Sequence, residues 1–186
     1  MLGVLCGDNP SEPGRVTLIP RLGADQVSAV LPPILRAVQS SPFNPVWMCD
    51  PCHGNTFSHN GAKTRCPTTM LREVAQVVTT LADHGMHLGG IHLEQTGEEV
   101  VECVDKSLLS SKEGVELGGE TYKSLCDPRL SGSQALAFVE GVAELLVANG
   151  TVDKGATNSQ EQPMFLLPIL ERAVRFFSAP FASKVH

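Results

Sequence analysis

Val46-Trp47-Met48-Cys49-Asp50-Pro51-Cys52-His53-Gly54-Asn55-Thr56 decides how this 186-residue chain is read. Four apolar residues make a short strand, and a polar loop bearing Pro and Gly follows at once, running from Asp50 to Lys63. In parallel α/β proteins the functional groups collect where strands end, so a loop carrying Asp50 and His53 at such a place is a candidate site.

Working outward, the flanks repeat the pattern. Val16-Thr17-Leu18-Ile19 reads as a strand closed by Pro20. Residues 24–39 read as a helix, with Val27, Val30, Leu31, Ile34, Leu35 and Val38 at three- and four-residue spacing. Pro32 and Pro33 predict a kink or a restart within it. Downstream, Thr68 or Thr69 is expected to cap a helix that runs to Asp83 with Leu71, Val74, Val77, Val78 and Leu81 on one face. Gly89-Gly90 then leads into a strand over 91–94, residues 98–119 read as a loop-rich insertion, and 122–126 as a fourth strand. A last helix is expected from Ser133, over 135–148, with Leu136, Val139, Val142, Ala143 and Leu146 periodic.

Strands alternating with helices indicate an α/β fold of parallel βαβ units, four of them clear, with a possible remnant strand at 2–6. The expected division is a domain over 1–150 and a tail over 151–186. The tail comprises a polar linker (151–162) and an amphipathic apolar helix (164–177) whose polar face is marked by Glu171, Arg172 and Arg175. That helix suits packing on its own core as well as it suits an association surface.

Composition excludes little but points one way. The net charge is −6 and basic residues are scattered, which argues against a nucleic-acid partner while leaving room for small phosphorylated substrates. No apolar run approaches the roughly 20 residues of a membrane span, and no secretory pattern opens the chain, so a cytoplasmic protein is expected. Cys49 and Cys52 form a C-x-x-C. A zinc ribbon would need a second pair, and a redox motif would open a helix after a strand, so ordinary reduced thiols are the reading.

The expected strand ends offer Arg21, His53, Glu94 and Asp127. One imidazole with two carboxylates is a sound divalent-metal set, suited to Mn, Fe, Co or Zn. Arg21, Lys63 and Arg65 supply positive charge of the kind that phosphate requires. Duller readings stand beside each: His53 can close its own turn, Glu94 can be solvated or pair with an Arg, and Asp127 before Pro128 is a common turn initiator.

Five blocks resemble the class II DAHP synthases, in that family's order. The opening stretch is similar to V-W-x-C-D-P-M-H-G-N-T, and Lys63-Thr64-Arg65 to K-T-R. Gly89 to Gly97 followed by Val101-Glu102-Cys103 resembles G-G-x-H-x-E-x-T-G with T-E-C. Tyr122 and Cys126 to Leu130 with Gln134 resembles Y-x-x-x-C-D-P-R-L-N-x-x-Q, and Glu12 to Asp25 resembles E-P-G-R-L-T-L-I-T-R-M-G-A-D. The resemblance implies a TIM barrel that condenses phosphoenolpyruvate with erythrose 4-phosphate to DAHP and phosphate, in the shikimate route to aromatic amino acids. It implies a divalent metal, Mn²⁺ first and Co²⁺, Fe²⁺ or Zn²⁺ as alternatives, held by His53, Glu94 and Asp127. Arg21 and Lys63 would hold phosphoenolpyruvate, with Lys63 and His53 as the catalytic groups.

The departures matter as much. A full (β/α)₈ barrel takes roughly 250 residues, and this chain resembles only its last four to five units. The family's fourth metal ligand, a cysteine on the first strand, has no counterpart here. Leu2-Gly3-Val4-Leu5-Cys6-Gly7 resembles the family's I-G-V-K-V-G, with Leu5 at the position of its substrate-binding lysine. Cys52 replaces Met, Leu88 replaces Pro, Pro20 replaces Thr and Ser131 replaces Asn. The expectation is therefore an enzyme whose barrel is completed by a second copy or a partner chain. The alternatives are a non-catalytic metal- or substrate-binding remnant, which could regulate a full-length synthase, and an α/β fragment without metal.

Overall fold

The computed structural model describes residues 2–6, 14–110 and 117–150. The expected linker and C-terminal helix over 151–186 lie outside the described residues. In chain order the elements are α1 (Leu2–Cys6), β1 (Thr17–Leu18), α2 (Val27–Gln39), β2 (Val46–Cys49), β3 (Thr56–His59), β4 (Ala62–Arg65), α3 (Pro67–Asp83), β5 (Leu88–Ile91), α4 (Lys106–Leu109) and α5 (Gly132–Ala148). Among them β1, β2 and β5 form a parallel sheet in that order, with Thr17 opposite Val46 and Cys49 opposite Ile91. A parallel bridge between Gln95 and Leu130 carries the pairing one segment further. The architecture is mixed α/β, with helices packed on a parallel sheet.

Helices α2, α3 and α5 pack in a row, and their buried residues share one core with alternate residues of β2. Leu31 and Leu35 of α2, Met70, Val74 and Leu81 of α3, and Phe138 and Leu145 of α5 are fully buried there beside Trp47 and Cys49. Burying each such side chain stabilises the fold by roughly 1.5–3 kcal/mol. Val46 and Met48, on the other face of β2, stay partly exposed.

Several expectations are corrected. Residues 2–6 are helical, not a remnant strand. The helix containing Pro32 and Pro33 runs unbroken from Val27 to Gln39. The carbonyls four residues before these prolines belong to Ser28 and Ala29, which are exposed, so water can take the place of the lost hydrogen bonds. Helix α3 starts at Pro67, whose missing N–H costs nothing at the first helical position. Thr68 is no cap; its hydroxyl donates to Asp105.

The third strand is 88–91, not 91–94, because Gly89-Gly90 lies inside it. A Cβ on Gly89 would sit 2.6 Å from Val46 Cγ1, so the glycine admits the neighbouring strand. The periodic face of α5 is also rotated. Ala135, Phe138, Val142 and Leu145 are buried, whereas Leu136 and Val139 are exposed. Ser131 caps this helix through a reciprocal pair with Gln134, so the Ser in place of Asn keeps a good cap.

The stretch expected as a loop from Asp50 to Lys63 contains a β-hairpin. β3 and β4 pair antiparallel from Thr56 opposite Arg65 to His59 opposite Ala62. Asn60 (φ 49°) and Gly61 (φ 85°) make the turn, both in the left-handed region that tight hairpins require.

The expected strand over 122–126 is absent. The backbone N–H groups of Lys123 and Ser124 donate to the Glu102 carboxylate (3.1 and 2.9 Å), which leaves them unavailable to a sheet neighbour.

Candidate metal centre

The site is assembled where β2 and β5 end. Asp50 follows β2, its N–H held by the Pro20 carbonyl at 2.9 Å. Its buried carboxylate then organises the turn. Oδ1 accepts the backbone N–H groups of Cys52 (3.0 Å) and His53 (3.2 Å), and Oδ2 lies 2.6 Å from His53 Nδ1. A proton on Nδ1 leaves Nε2 with its lone pair, pointed at Glu94 Oε1 3.3 Å away. Two acceptors facing each other repel unless a proton or a cation lies between them.

Glu94 stands three residues past β5. Its backbone N–H donates to Cys52 Sγ at 3.4 Å, its carbonyl accepts from Leu130 N at 2.9 Å, and its Oε2 takes a hydrogen bond from Arg65 Nη1. The Leu130 contact ties the Glu94 segment to the one carrying Asp127. Ligand atoms of His53, Glu94 and Asp127 all lie within 4.8 Å of one another. One imidazole nitrogen and two carboxylates at that separation fit a single divalent ion with positions left for other oxygens.

β4 brings two cations to the same side, since Lys63 and Arg65 alternate with the buried Thr64. Lys63 Nζ donates to Asp127 Oδ1 at 3.1 Å. That hydrogen bond and charge hold the Asp127 carboxyl below its ordinary range and raise the Lys63 ammonium above its own. Arg65 is 0 % exposed and donates through Nε to Thr56 Oγ1 at 2.8 Å and through Nη1 to the Pro128 carbonyl as well as Glu94. Its Nη2 lies 3.9 Å from Asp127 Oδ2 and has no hydrogen bond. A guanidinium committed in this way is not free for phosphate, so the positive charge expected from Arg65 serves the carboxylates instead.

Of the expected site residues, His53, Glu94, Asp127 and Lys63 converge. Arg21 does not: it is exposed and makes no ion pair among the described residues. Its turn is nevertheless fixed to the site. The buried Glu73 carboxylate accepts Leu22 N and Gly23 N, each at 3.0 Å, and Asn55 Nδ2 at 2.6 Å. Burial pushes the Glu73 carboxyl up despite these bonds. Gly54, beside His53, meets the same turn so closely that a Cβ there would lie 2.2 Å from Gly23 N.

Three supports were missed from the sequence: Asp50 as the orienting partner of His53, Glu73, and Glu102. Glu102 is buried and accepts Arg129 N (2.8 Å), Arg129 Nε (3.0 Å) and Arg129 Nη2 (2.7 Å) besides Lys123 N and Ser124 N. It thereby holds both flanks of Asp127. Neither thiol of the C-x-x-C is among the grouped ligand atoms, although Cys52 Sγ supports Glu94 by accepting its backbone N–H. Both are buried, and burial pushes the Cys52 thiol up to about 11 and that of Cys49 higher still.

Residues 4–143 match the sequence profile of the Class-II DAHP synthetase family. The chain is similar to the phospho-2-dehydro-3-deoxyheptonate aldolase AroG of Mycolicibacterium smegmatis, 42% identical over 140 residues that cover 75% of this chain and 30% of that protein. It resembles the phospho-2-dehydro-3-deoxyheptonate aldolase of Neurospora crassa to the same identity over 140 residues, covering 73% of this chain and 28% of that one. The Streptomyces coelicolor protein of that name is 40% identical over 142 residues, 74% of this chain and 30% of its own. The chain thus spans about 30% of the length of the curated relatives it matches. With the matched profile extending from the first helix into α5 and containing the whole cluster, this chain belongs to the class-II DAHP synthetase family.

Proposed function

We propose that this chain carries the metal-binding arc of a (β/α)₈ barrel that condenses phosphoenolpyruvate with erythrose 4-phosphate, giving DAHP and inorganic phosphate. The observation that carries the reading is the convergence of His53, Glu94 and Asp127 with their ligand atoms within 4.8 Å, at the ends of adjacent parallel segments. His53, Glu94 and Asp127 would hold a divalent ion, Mn²⁺ first, with Co²⁺, Fe²⁺ or Zn²⁺ compatible with the donor set. The ion would supply Lewis-acid polarisation of the aldehyde oxygen.

The chain's own residues do the rest. Asp50 orients the His53 imidazole, Arg65 braces Glu94, and Lys63 and the exposed Arg21 offer cations to the phosphate and carboxylate of phosphoenolpyruvate. A three-stranded parallel sheet cannot close on itself. We therefore place the remaining strands and any fourth ligand in polypeptide outside these 186 residues, whether further sequence of the same protein, a second copy or a partner chain. The exposed Leu136 and Val139 of α5 suit such packing. We read the working compartment as the cytoplasm, and no helix among the described residues is long and apolar enough to cross a membrane.

One observation favours a second reading, a metal- or substrate-binding protein without turnover that acts on a full-length synthase. Residues 2–6 are helical, and Leu5 stands where the resemblance called for a lysine. The two readings separate on phosphate release from both substrates with Mn²⁺, for the chain alone and mixed with a polypeptide supplying the remaining family segments. Turnover that needs His53 supports the enzyme. Metal binding without turnover in any mixture supports the alternative.

A further inference from the structure

Resting on the metal-binding reading above, we infer that Lys63 is an exchangeable counter-cation: a bound divalent ion displaces its ammonium from Asp127 and frees it for a substrate anion. Both Asp127 oxygens already face a cation, Oδ1 towards Lys63 at 3.1 Å and Oδ2 towards Arg65 at 3.9 Å. The two cations differ in freedom. Arg65 is fully buried and tied to Thr56, Glu94 and Pro128, so moving it would strand a charge in the interior. Lys63 has 55% of its side chain exposed, stands on a flexible stem and has Asp127 as its ion-pair partner.

A divalent ion drawing on Asp127 therefore competes with Lys63 and leaves Arg65 in place. Like charges a few ångströms apart repel, which moves the ammonium outward into solvent at the mouth of the site. There it stands next to the position where a phosphorylated, anionic substrate would meet the ion. Arg65 stays as the fixed charge that keeps Glu94 and Asp127 close to each other without the metal.

The test is isothermal titration of the full 186-residue chain with MnCl₂ at pH 7.5. Lys63→Met removes both the ion pair to be broken and one like charge beside the ion. It should bind Mn²⁺ roughly 3- to 20-fold more tightly than wild type. Lys63→Arg keeps the pair and should fall within about threefold of wild type. Because damage to a metal site loosens it, tightening is a result that a merely structural role for Lys63 does not give. An unchanged or weaker affinity in Lys63→Met, with wild-type binding abolished by His53→Ala, overturns this inference and leaves the metal site standing. Equal tightening by Lys63→Met and Lys63→Arg overturns it too. No saturable Mn²⁺ binding by the wild type overturns both.

Discussion

Glu102→Gln is the substitution whose effect the structure sizes most directly. The Glu102 carboxylate is 0 % exposed and accepts five hydrogen bonds, from Lys123 N, Ser124 N and three nitrogens of Arg129. Burial alone would raise its pKa, but the Arg129 side chain and the three backbone amides outweigh burial and leave it below the ordinary glutamate range. An amide in its place presents an NH₂ group to donors and removes the charge opposite Arg129. Breaking a buried charge pair from one side costs about 3–5 kcal/mol. Because Arg129 is 28% exposed and can turn to water, about 2–4 kcal/mol is expected here. For a chain of this size that corresponds to a fall in melting temperature of roughly 5–15 °C at pH 7.

The pH dependence follows with a fixed sign. A carboxyl whose folded pKa is depressed contributes stability above its unfolded pKa, about 4.3, and loses it as pH falls through the folded value. The gap between wild type and Glu102→Gln should therefore be full at pH 7 and narrow below about pH 4.5. Differential scanning calorimetry at pH 7, 5 and 4 measures it. A melting temperature within 1 °C or so of wild type at pH 7, or a gap that widens with acid, would refute the reasoning.

Other expected outcomes follow from the same geometry. In Asp50→Asn the amide oxygen is needed by the N–H groups of Cys52 and His53, so the NH₂ faces Nδ1 and drives the imidazole proton to Nε2. Mn²⁺ affinity should fall about 10- to 100-fold with the fold intact by circular dichroism. Gly54→Ala places a Cβ 2.2 Å from Gly23 N, backbone against backbone, and should destabilise by roughly 2–4 kcal/mol in urea unfolding. Among the described cysteines only Cys126 is exposed. With a thiol reagent at pH 8, Cys126→Ser should remove a fast-reacting thiol, whereas Cys52→Ser should remove none, because burial holds that thiol protonated.

The candidate cluster was legible in part because His53 and Glu94 lie just past β2 and β5, a position that periodicity locates to within a few residues, whereas Asp127 was placed after a strand that the structure lacks. Shifting the third strand from 91–94 to 88–91 left Glu94 just beyond it, still over the sheet edge. The hairpin between Thr56 and Arg65 carried a readable signal in Asn60-Gly61, but the polar residues around it hid the alternation. Once that turn is recognised, Lys63 and Arg65 fall on one side of β4. The buried carboxylates were not legible at all. Glu73 and Glu102 occupy places where burial favours apolar residues, and what retains them is a set of backbone N–H groups from distant segments. The face of α5 was misjudged because apolar residues lie on both its sides; the buried side is the one on which Gly141 lets the helix approach Leu71 of α3 closely.

His53, Glu94 and Asp127 are proposed to form one divalent-metal site on this chain. Titrating the 186-residue protein with Mn²⁺, by calorimetry and by loss of the free-ion electron paramagnetic resonance signal, tests it most directly. One ion per chain is expected, with affinity lowered at least about tenfold in His53→Ala and in Asp127→Asn while the circular dichroism spectrum stays that of the wild type. Absence of saturable binding, or an affinity indifferent to both substitutions, would contradict it.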